Sequence, residues 1–287
     1  MAGMSELGFY QHVIVHGVGL IGGSVAAAVK HRRPACRVTG VGRNPERLQS
    51  AQIGGLIDDW CTTLRGASVE ARAVVVICLP VDHISEAVIE AAEATPSGVL
   101  ITDAGSVKQS IQDEIAVSEA ASTRFVGAHP IAGSEKNGFE YADPELFAGR
   151  PCVVTESTAG DEFERRCQHF WRSLGAEVSV LDCEEHDRIL ALTSHLPHVM
   201  AAITANCVSP ADFAFAGSGF RDSTRVASGD AHLWQQILYS NRTQLLSAIS
   251  KAEAGLSRLS AALKDGDHDA VVEILEQAAQ LRRAFES

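Results

Sequence analysis

The chain has 287 residues, with 46% hydrophobic residues, 21% charged residues and a formal net charge of −12. At about 100–200 residues per domain this length fits two domains or one large one, and the apolar content excludes a mainly disordered chain. The acidic balance argues against a nucleic-acid partner, so any anion site must be a local cluster of Arg, His and helix N-termini. Aromatic residues make up only 6%, which leaves the core to Ala, Val, Ile and Leu. No run approaches the roughly 18 apolar residues of a membrane span, and residues 1–11 lack the basic flank of a signal peptide. The expected location is cytoplasmic. Seven cysteines occur without a CxxC pair, so neither a disulfide framework nor a zinc site is expected.

The first half alternates strand-like and helix-like segments. Residues 12–16 form a short apolar run ending in glycines, and residues 22–30 read as a helix of small side chains. A second strand follows at 37–42 and a helix start at 45–52. The β-branched stretch 73–79 is a third strand, 81–94 is amphipathic, and 99–103 is a fourth strand. Residues 106–121 read as one helix and 125–128 as a fifth strand. Further strands at 152–155 and 177–181 flank a helix at 161–174. This rhythm predicts an α/β fold with a Rossmann-type doubly wound parallel sheet. After Asp182 apolar residues recur at helical spacing, as in Ile189, Leu192, Leu196, Val199 and Ile203, and 270–285 is a clear amphipathic helix. The expectation is a dinucleotide-binding domain over 1–182 and an all-α C-terminal domain over 183–287 for substrate binding and dimerisation.

The stretch VIVHGVGLIGGS holds Gly17-x-Gly19-x-x-Gly22 between a predicted strand and a predicted helix, the context that a dinucleotide-binding turn requires. Gly17 permits the tight turn, Gly19 lets a pyrophosphate approach the backbone, and Gly22 lets the helix pack on the strand. The helix N-terminus attracts the phosphates. Leu20 and Ile21 in the turn, with Leu79 and Pro80 after the third strand, complete the expected cofactor-binding set. An NAD site places Asp or Glu about 20 residues after the glycines. Here the segment Gly40-Val41-Gly42-Arg43-Asn44 holds no acid, and Arg43 stands in its place. A guanidinium pairs with the 2′-phosphate that an acid would repel. The expected coenzyme is therefore NADP, with Arg47 in support and NAD as the alternative. The competing reading of Arg43 is an arginine exposed on a loop.

Three more segments are unusual for a plain Rossmann domain. They are Thr102-Asp103-Ala104-Gly105-Ser106-Val107-Lys108, then Gly127-Ala128-His129-Pro130-Ile131-Ala132-Gly133-Ser134-Glu135, then Gly217-Ser218-Gly219-Phe220-Arg221-Asp222-Ser223-Thr224-Arg225. Together with the glycine turn and Ser194-His195-Leu196-Pro197-His198, this ordered set resembles the prephenate/arogenate dehydrogenases of tyrosine biosynthesis, over about residues 12–285. The resemblance implies oxidative decarboxylation of prephenate to 4-hydroxyphenylpyruvate. Hydride leaves the carbon bearing the ring hydroxyl for the nicotinamide, the hydroxyl proton is withdrawn, carbon dioxide departs and the ring becomes aromatic. Such a site needs a hydride acceptor, a proton acceptor and cations for two carboxylates.

By the same resemblance His129 is the catalytic proton acceptor, a role suited to an imidazole with an ordinary pKa near 6.5. Ser106 would bond the substrate hydroxyl and the nicotinamide side. It also has capping-box spacing to Gln109, a role that competes for the same side chain. Arg225 resembles the carboxylate-binding arginine. Asp222 could hold it, with a purely structural helix pair as the other reading; Arg221 is a lesser helper. His186, Ser194, His195 and His198 are placed around substrate and nicotinamide, and Pro197 points to a new helix capped by Thr193 or Ser194. No acid or cysteine completes a ligand set around these histidines, so no metal is expected. Glu135 and Trp234 border the site, the tryptophan from its own or a second subunit. An ammonium, as in arogenate, would favour a nearby carboxylate, whereas His198 suits the keto acid prephenate.

The competing functions are an arogenate dehydrogenase giving tyrosine directly, a non-catalytic NADP-binding sensor, and a β-hydroxyacid dehydrogenase. A sensor needs no proton acceptor. The β-hydroxyacid chemistry uses a lysine base, whereas Lys251 and Lys264, the lysines after residue 136, flank no motif. The expected partners are a small-molecule substrate and a second copy of the chain, without nucleic acid or membrane. The stretch after Arg225 reads as helix throughout, which leaves any tyrosine feedback to competition at the active site.

Overall fold

A strand in the middle of a parallel sheet is covered on both faces and so reads as an unbroken apolar run. Val74-Val75-Val76-Ile77 is such a run, and all four residues are buried. The computed structural model describes residues 10–133 and 136–286. In chain order the first half contains β1 (His12–His16), α1 (Leu20–Arg32), β2 (Arg37–Val41), α2 (Pro45–Ile53), β3 (Asp59–Cys61) and β4 (Val74–Ile77). It continues with α3 (Ile84–Ala94), β5 (Leu100–Asp103), α4 (Gln109–Ile115), α5 (Glu119–Ser122) and β6 (Phe125–Val126). The six strands lie in the order β3-β2-β1-β4-β5-β6, all parallel. The strand order reverses between β1 and β4, and ligands of such sheets bind outside the carboxyl ends there.

Alternation along the strands feeds two cores. Val13, Val15, Val38 and Val76 pack with Val25 and Val29 of α1 and with Phe170 and Trp171. Ile14, Val75, Ile77 and Ile101 face Ile84, Val88 and Ala91 of α3. The short, half-buried β3 was not foreseen; its Asp-Trp-Cys lacks an apolar run.

The expected strand at 125–128 is divided. β6 ends at Val126, and after Gly127 the chain enters a second sheet as β7 (Ala128–Pro130). There β7 pairs antiparallel with β8 (Pro151–Thr155), which pairs parallel with β9 (Glu177–Leu181). Gly127 makes the crossing possible, because a Cβ there would lie 2.7 Å from Thr155 Oγ1. α6 (Asp161–Ser173) lies between β8 and β9 in sequence. The single helix expected at 106–121 is also corrected: 106–108 are loop, and two short helices follow.

From residue 183 the described chain is helical: α7 (Cys183–Leu190), a π-helical turn (Ala191–His195), α8 (Leu196–Asn206), α9 (Ser218–Thr224), α10 (Ala231–Ser240), α11 (Arg242–Asp265) and α12 (His268–Glu286). No new cap interrupts 193–194, contrary to the expectation from Pro197. Thr193 instead donates to Ile189 O, four residues back, and Pro197 sits in the first turn of α8. The π turn closes with Leu196 N–H bonded to Ala191 O, five residues back. Contacts divide the chain into Met1–Asn241 and Arg242–Ser287. Within the first unit, Ile237 of α10 packs with Val81 and Val107. In the second, α11 and α12 pack on each other through a turn at Gly266, whose φ is +69°. No helix among the described residues is long and apolar enough to cross a membrane.

Candidate active site

The glycine turn leads from β1 into α1. Gly17 has φ +100°, and a Cβ on it would lie 2.4 Å from Cys78 O; a Cβ on Gly22 would lie 2.0 Å from Gly17 O. Both positions therefore demand glycine. Gly19 is different, since a Cβ there meets nothing within 4 Å. It faces open space at the start of α1, whose N-cap makes no side-chain hydrogen bond. The first-turn N–H groups, which a helix leaves without internal partners, point to an anion there.

This turn opens on a cleft of about 600 Å³ lined by Gly17, Val18, Gly19, Arg43, Arg47, Leu79, Pro80 and His83 among others. Its concave shape, free backbone donors and apolar wall fit a dinucleotide. Leu20, Ile21 and Gly22 lie in the first turn of α1 and do not line it. Arg43 is exposed at the cleft. Arg47 is engaged by Glu140 at 3.7 Å and stands over the Phe139 ring. Glu86 and Glu90 also line the cleft.

His129, His186 and His195 converge through one hydrogen-bonded network. His129, on β7, places Nδ1 2.9 Å from His186 Nε2, and His186 Nδ1 lies 2.7 Å from Asp187 Oδ1. The carboxylate can only accept, so His186 carries a proton on Nδ1, and in its neutral form that ring accepts at Nε2. His129 must then donate from Nδ1, which leaves its Nε2 with a lone pair. Burial first, then the neighbouring basic groups His186, Lys108 and His195, holds the His129 pKa well below its ordinary value. It is a neutral base at physiological pH.

Asp187 is anchored in turn. Its Oδ1 accepts from Lys108 N at 2.9 Å and its Oδ2 from Gln109 N at 3.0 Å, which caps α4 from outside. That cap decides the competition at Ser106: the N-cap position is Lys108, and Ser106 makes no capping bond. The Ser106 hydroxyl is left available to a ligand. Its loop is held at the other end by Asp103, whose carboxylate accepts from Gly105 N at 2.9 Å, from Ala128 N at 2.9 Å and from the buried Lys108 ammonium. Asp103 thus ties the Ser106 loop to the residue before His129.

On the helical side, Asn241 Nδ2 lies 2.7 Å from Asp187 O and 3.1 Å from His195 Nδ1. His198 stacks on Trp234 with ring centroids 3.5 Å apart, and Trp234 meets His195 edge-on at 6.4 Å. Trp234 therefore packs on the histidines of its own chain. Burial lowers the His198 pKa and brings that of His195 to about 4.

The remaining candidates are less tightly placed. Ser194 is half-buried in the π turn. Arg225 opens a 3-10 turn (Arg225–Ser228) that packs on α8, the helix of His198. The expected Asp222–Arg225 pair is not formed: both side chains are exposed, and no ion pair joins them. α9 ends at Thr224, so the two residues do not share a helix face. Glu135 lies outside the described residues. No group of three or more His, Cys, Asp or Glu suited to a metal occurs among the described residues. Sequence reasoning missed Asp187, Asn241 and the Asp103–Lys108 pair. Asp103 and Lys108 stand within a quoted motif, but no local spacing marks the other two.

A dinucleotide cleft at the sheet's switch point, together with a desolvated imidazole base on the strand that follows β6, marks a nicotinamide-dependent dehydrogenase. The chain belongs to the prephenate dehydrogenase family: the family's nucleotide-binding domain matches residues 25–180 and its dimerization domain residues 182–277. It is 30% identical to the cyclohexadienyl dehydrogenase of Zymomonas mobilis, over 97% of each chain. It is also 30% identical to the prephenate dehydrogenase of Lactococcus lactis, over 96% of this chain and 77% of that one. Among solved structures, prephenate dehydrogenase from Aquifex aeolicus in complex with hydroxyphenyl propionate and NAD+ superposes with a TM-score of 0.90 at 28% identity. That match covers 96% of this chain and 99% of the other.

Proposed function

We propose that the protein oxidatively decarboxylates prephenate to 4-hydroxyphenylpyruvate, with NADP as the preferred coenzyme. The observation that carries this reading is the ordered chain Asp187–His186–His129, which leaves a lone pair on His129 Nε2. When bound, the nicotinamide supplies the hydride-accepting carbon. His129 withdraws the ring hydroxyl's proton as its carbon–oxygen bond shortens, and returns it to the phenol after carbon dioxide has left. Ser106 bonds the same hydroxyl. Arg225 grips a substrate carboxylate, where two parallel N–H bonds fix orientation as well as charge. Ser194, His195, His198 and Trp234 wall the substrate. Among the described residues neither His195 nor His198 forms an ion pair with a carboxylate, which suits a keto acid better than the ammonium of arogenate.

The NADP preference rests on Arg43 at the cleft where an NAD site would carry an acid. The helical part joins two copies of the chain. The matched dimerization domain supports this, as do the exposed Leu256, Leu263, Leu275 and Leu281. Initial rates with prephenate or arogenate, each with NADP or NAD, test the assignment. The highest kcat/KM is expected for prephenate with NADP, and Arg43→Asp should shift the preference toward NAD. A higher kcat/KM with arogenate would overturn the substrate assignment. An unaltered coenzyme ratio in Arg43→Asp would remove that arginine from phosphate binding, and absence of any reduction would leave a binding protein.

A further inference from the structure

Asn241 closes α10 and is 3% exposed, yet it takes no part in the proposed proton transfer. Its side chain meets two groups of opposite demand. Asp187 O is a carbonyl and can only accept, so the atom 2.7 Å from it is the amide nitrogen. The flipped amide would set two carbonyl oxygens against each other. One N–H therefore goes to Asp187 and the other to His195 Nδ1 at 3.1 Å. His195 Nδ1 must accept, and the neutral ring keeps its proton on Nε2. His195 is 1% exposed, and its Nε2 has no hydrogen-bond partner among the described residues. A buried N–H without a partner is costly, which marks it for a ligand acceptor. His195 also meets Trp234 edge-on, and Trp234 stacks on His198, which sets it in the proposed substrate site.

We infer that Asn241 is a positioning residue that fixes His195 in the Nε2–H form, so that this neutral imidazole donates to an oxygen of the bound substrate. The inference rests on the proposed site, but its first test does not depend on catalysis. The same backbone carbonyl ties the donor to Asp187, the anchor of His186. One residue thus holds the base end of the network through its carboxylate and the donor end through its main chain.

Long-range proton–nitrogen NMR correlations on histidine-labelled protein read the tautomer directly. The expected wild-type spectrum shows His195 protonated at Nε2 alone, whether or not prephenate is turned over; protonation at Nδ1 overturns the inference. In Asn241→Asp the carboxylate would accept from Nδ1–H, so the tautomer should reverse and the prephenate KM rise about three- to tenfold, the worth of one neutral hydrogen bond. The coenzyme KM should hold within about twofold. Should that variant fail to fold, His195→Gln and His195→Leu decide the matter. Glutamine keeps an N–H at a similar reach and should retain a KM near wild type, while leucine should show the rise. Equal KM values in the two variants would overturn the donor role. A correct tautomer in a protein inactive on prephenate would sink the substrate assignment and leave the positioning of His195 standing.

Discussion

His129 owes its unprotonated state to its surroundings. Desolvation is the leading cause of its lowered pKa, and three neighbouring basic groups add to it. The Nδ1–H is committed to His186, so the ring presents only Nε2 to a substrate. The sign of the pH dependence follows. A base must be unprotonated to act, and a pKa held below 6.5 keeps it so through the neutral range. We expect kcat to stay level from pH about 8 down to about 6 and to fall only at lower pH. A decline centred near 6.5 in the rate profile would show an ordinary exposed histidine instead.

At the scale of elements, the site is assembled where pieces cross rather than within any one of them. β6 leaves the large sheet at Gly127 so that β7 can carry His129 into the small one. α10 docks through Ile237 on Val81 and Val107, next to the Ser106 loop. The turn after Arg225 ends at Gly229, where a Cβ would lie 2.6 Å from Trp234 Nε1 and 3.4 Å from His198 Cε1. Gly229→Ala must therefore displace the indole that stacks on His198. We expect a stability loss of about 1–3 kcal/mol, the usual cost of overpacking, with a raised prephenate KM. Thermal melts and steady-state kinetics read both, and a variant unchanged in each would show that the stack can yield freely.

These crossings explain what could be read from the chain beforehand. The glycine turn, β1, β2, β4 and β5 were legible, because buried parallel strands and dinucleotide turns impose strict local patterns. The His129, His186, His195 and His198 cluster was legible only through its resemblance to a family. Asp187 and Asn241 were not legible, because a bond between residues 54 positions apart leaves no periodic trace. The capping role that competed for Ser106 fails for the same reason: its local spacing was right, but the acceptor comes from Asp187, 79 positions from Lys108.

For the whole molecule, the network makes folding pH-dependent. His195 has a pKa of about 4 in the folded chain, against an ordinary 6.5, because it is buried. Above 6.5 both folded and unfolded states hold it neutral, and it contributes no pH dependence. As pH falls from 6.5 toward 4 the unfolded chain takes up the proton and the folded one does not, so stability is lost. The loss is on the order of 3 kcal/mol for this residue at about pH 4. His16, on β1 at the cofactor cleft, has a similar pKa of about 4 and acts in the same direction. Urea unfolding of the wild type and of His195→Gln between neutral pH and pH about 4 should give a shallower slope for the variant. Parallel slopes would mean that His195 is solvated in the folded state.

The measurement closest to the centre of this account is the turnover of His129→Asn with prephenate and saturating coenzyme. Loss of a general base should lower kcat by about 10²–10⁴-fold while coenzyme binding is retained. Turnover near that of the wild type would contradict the account, because no proton would then pass through the imidazole that Asp187 and His186 hold in place.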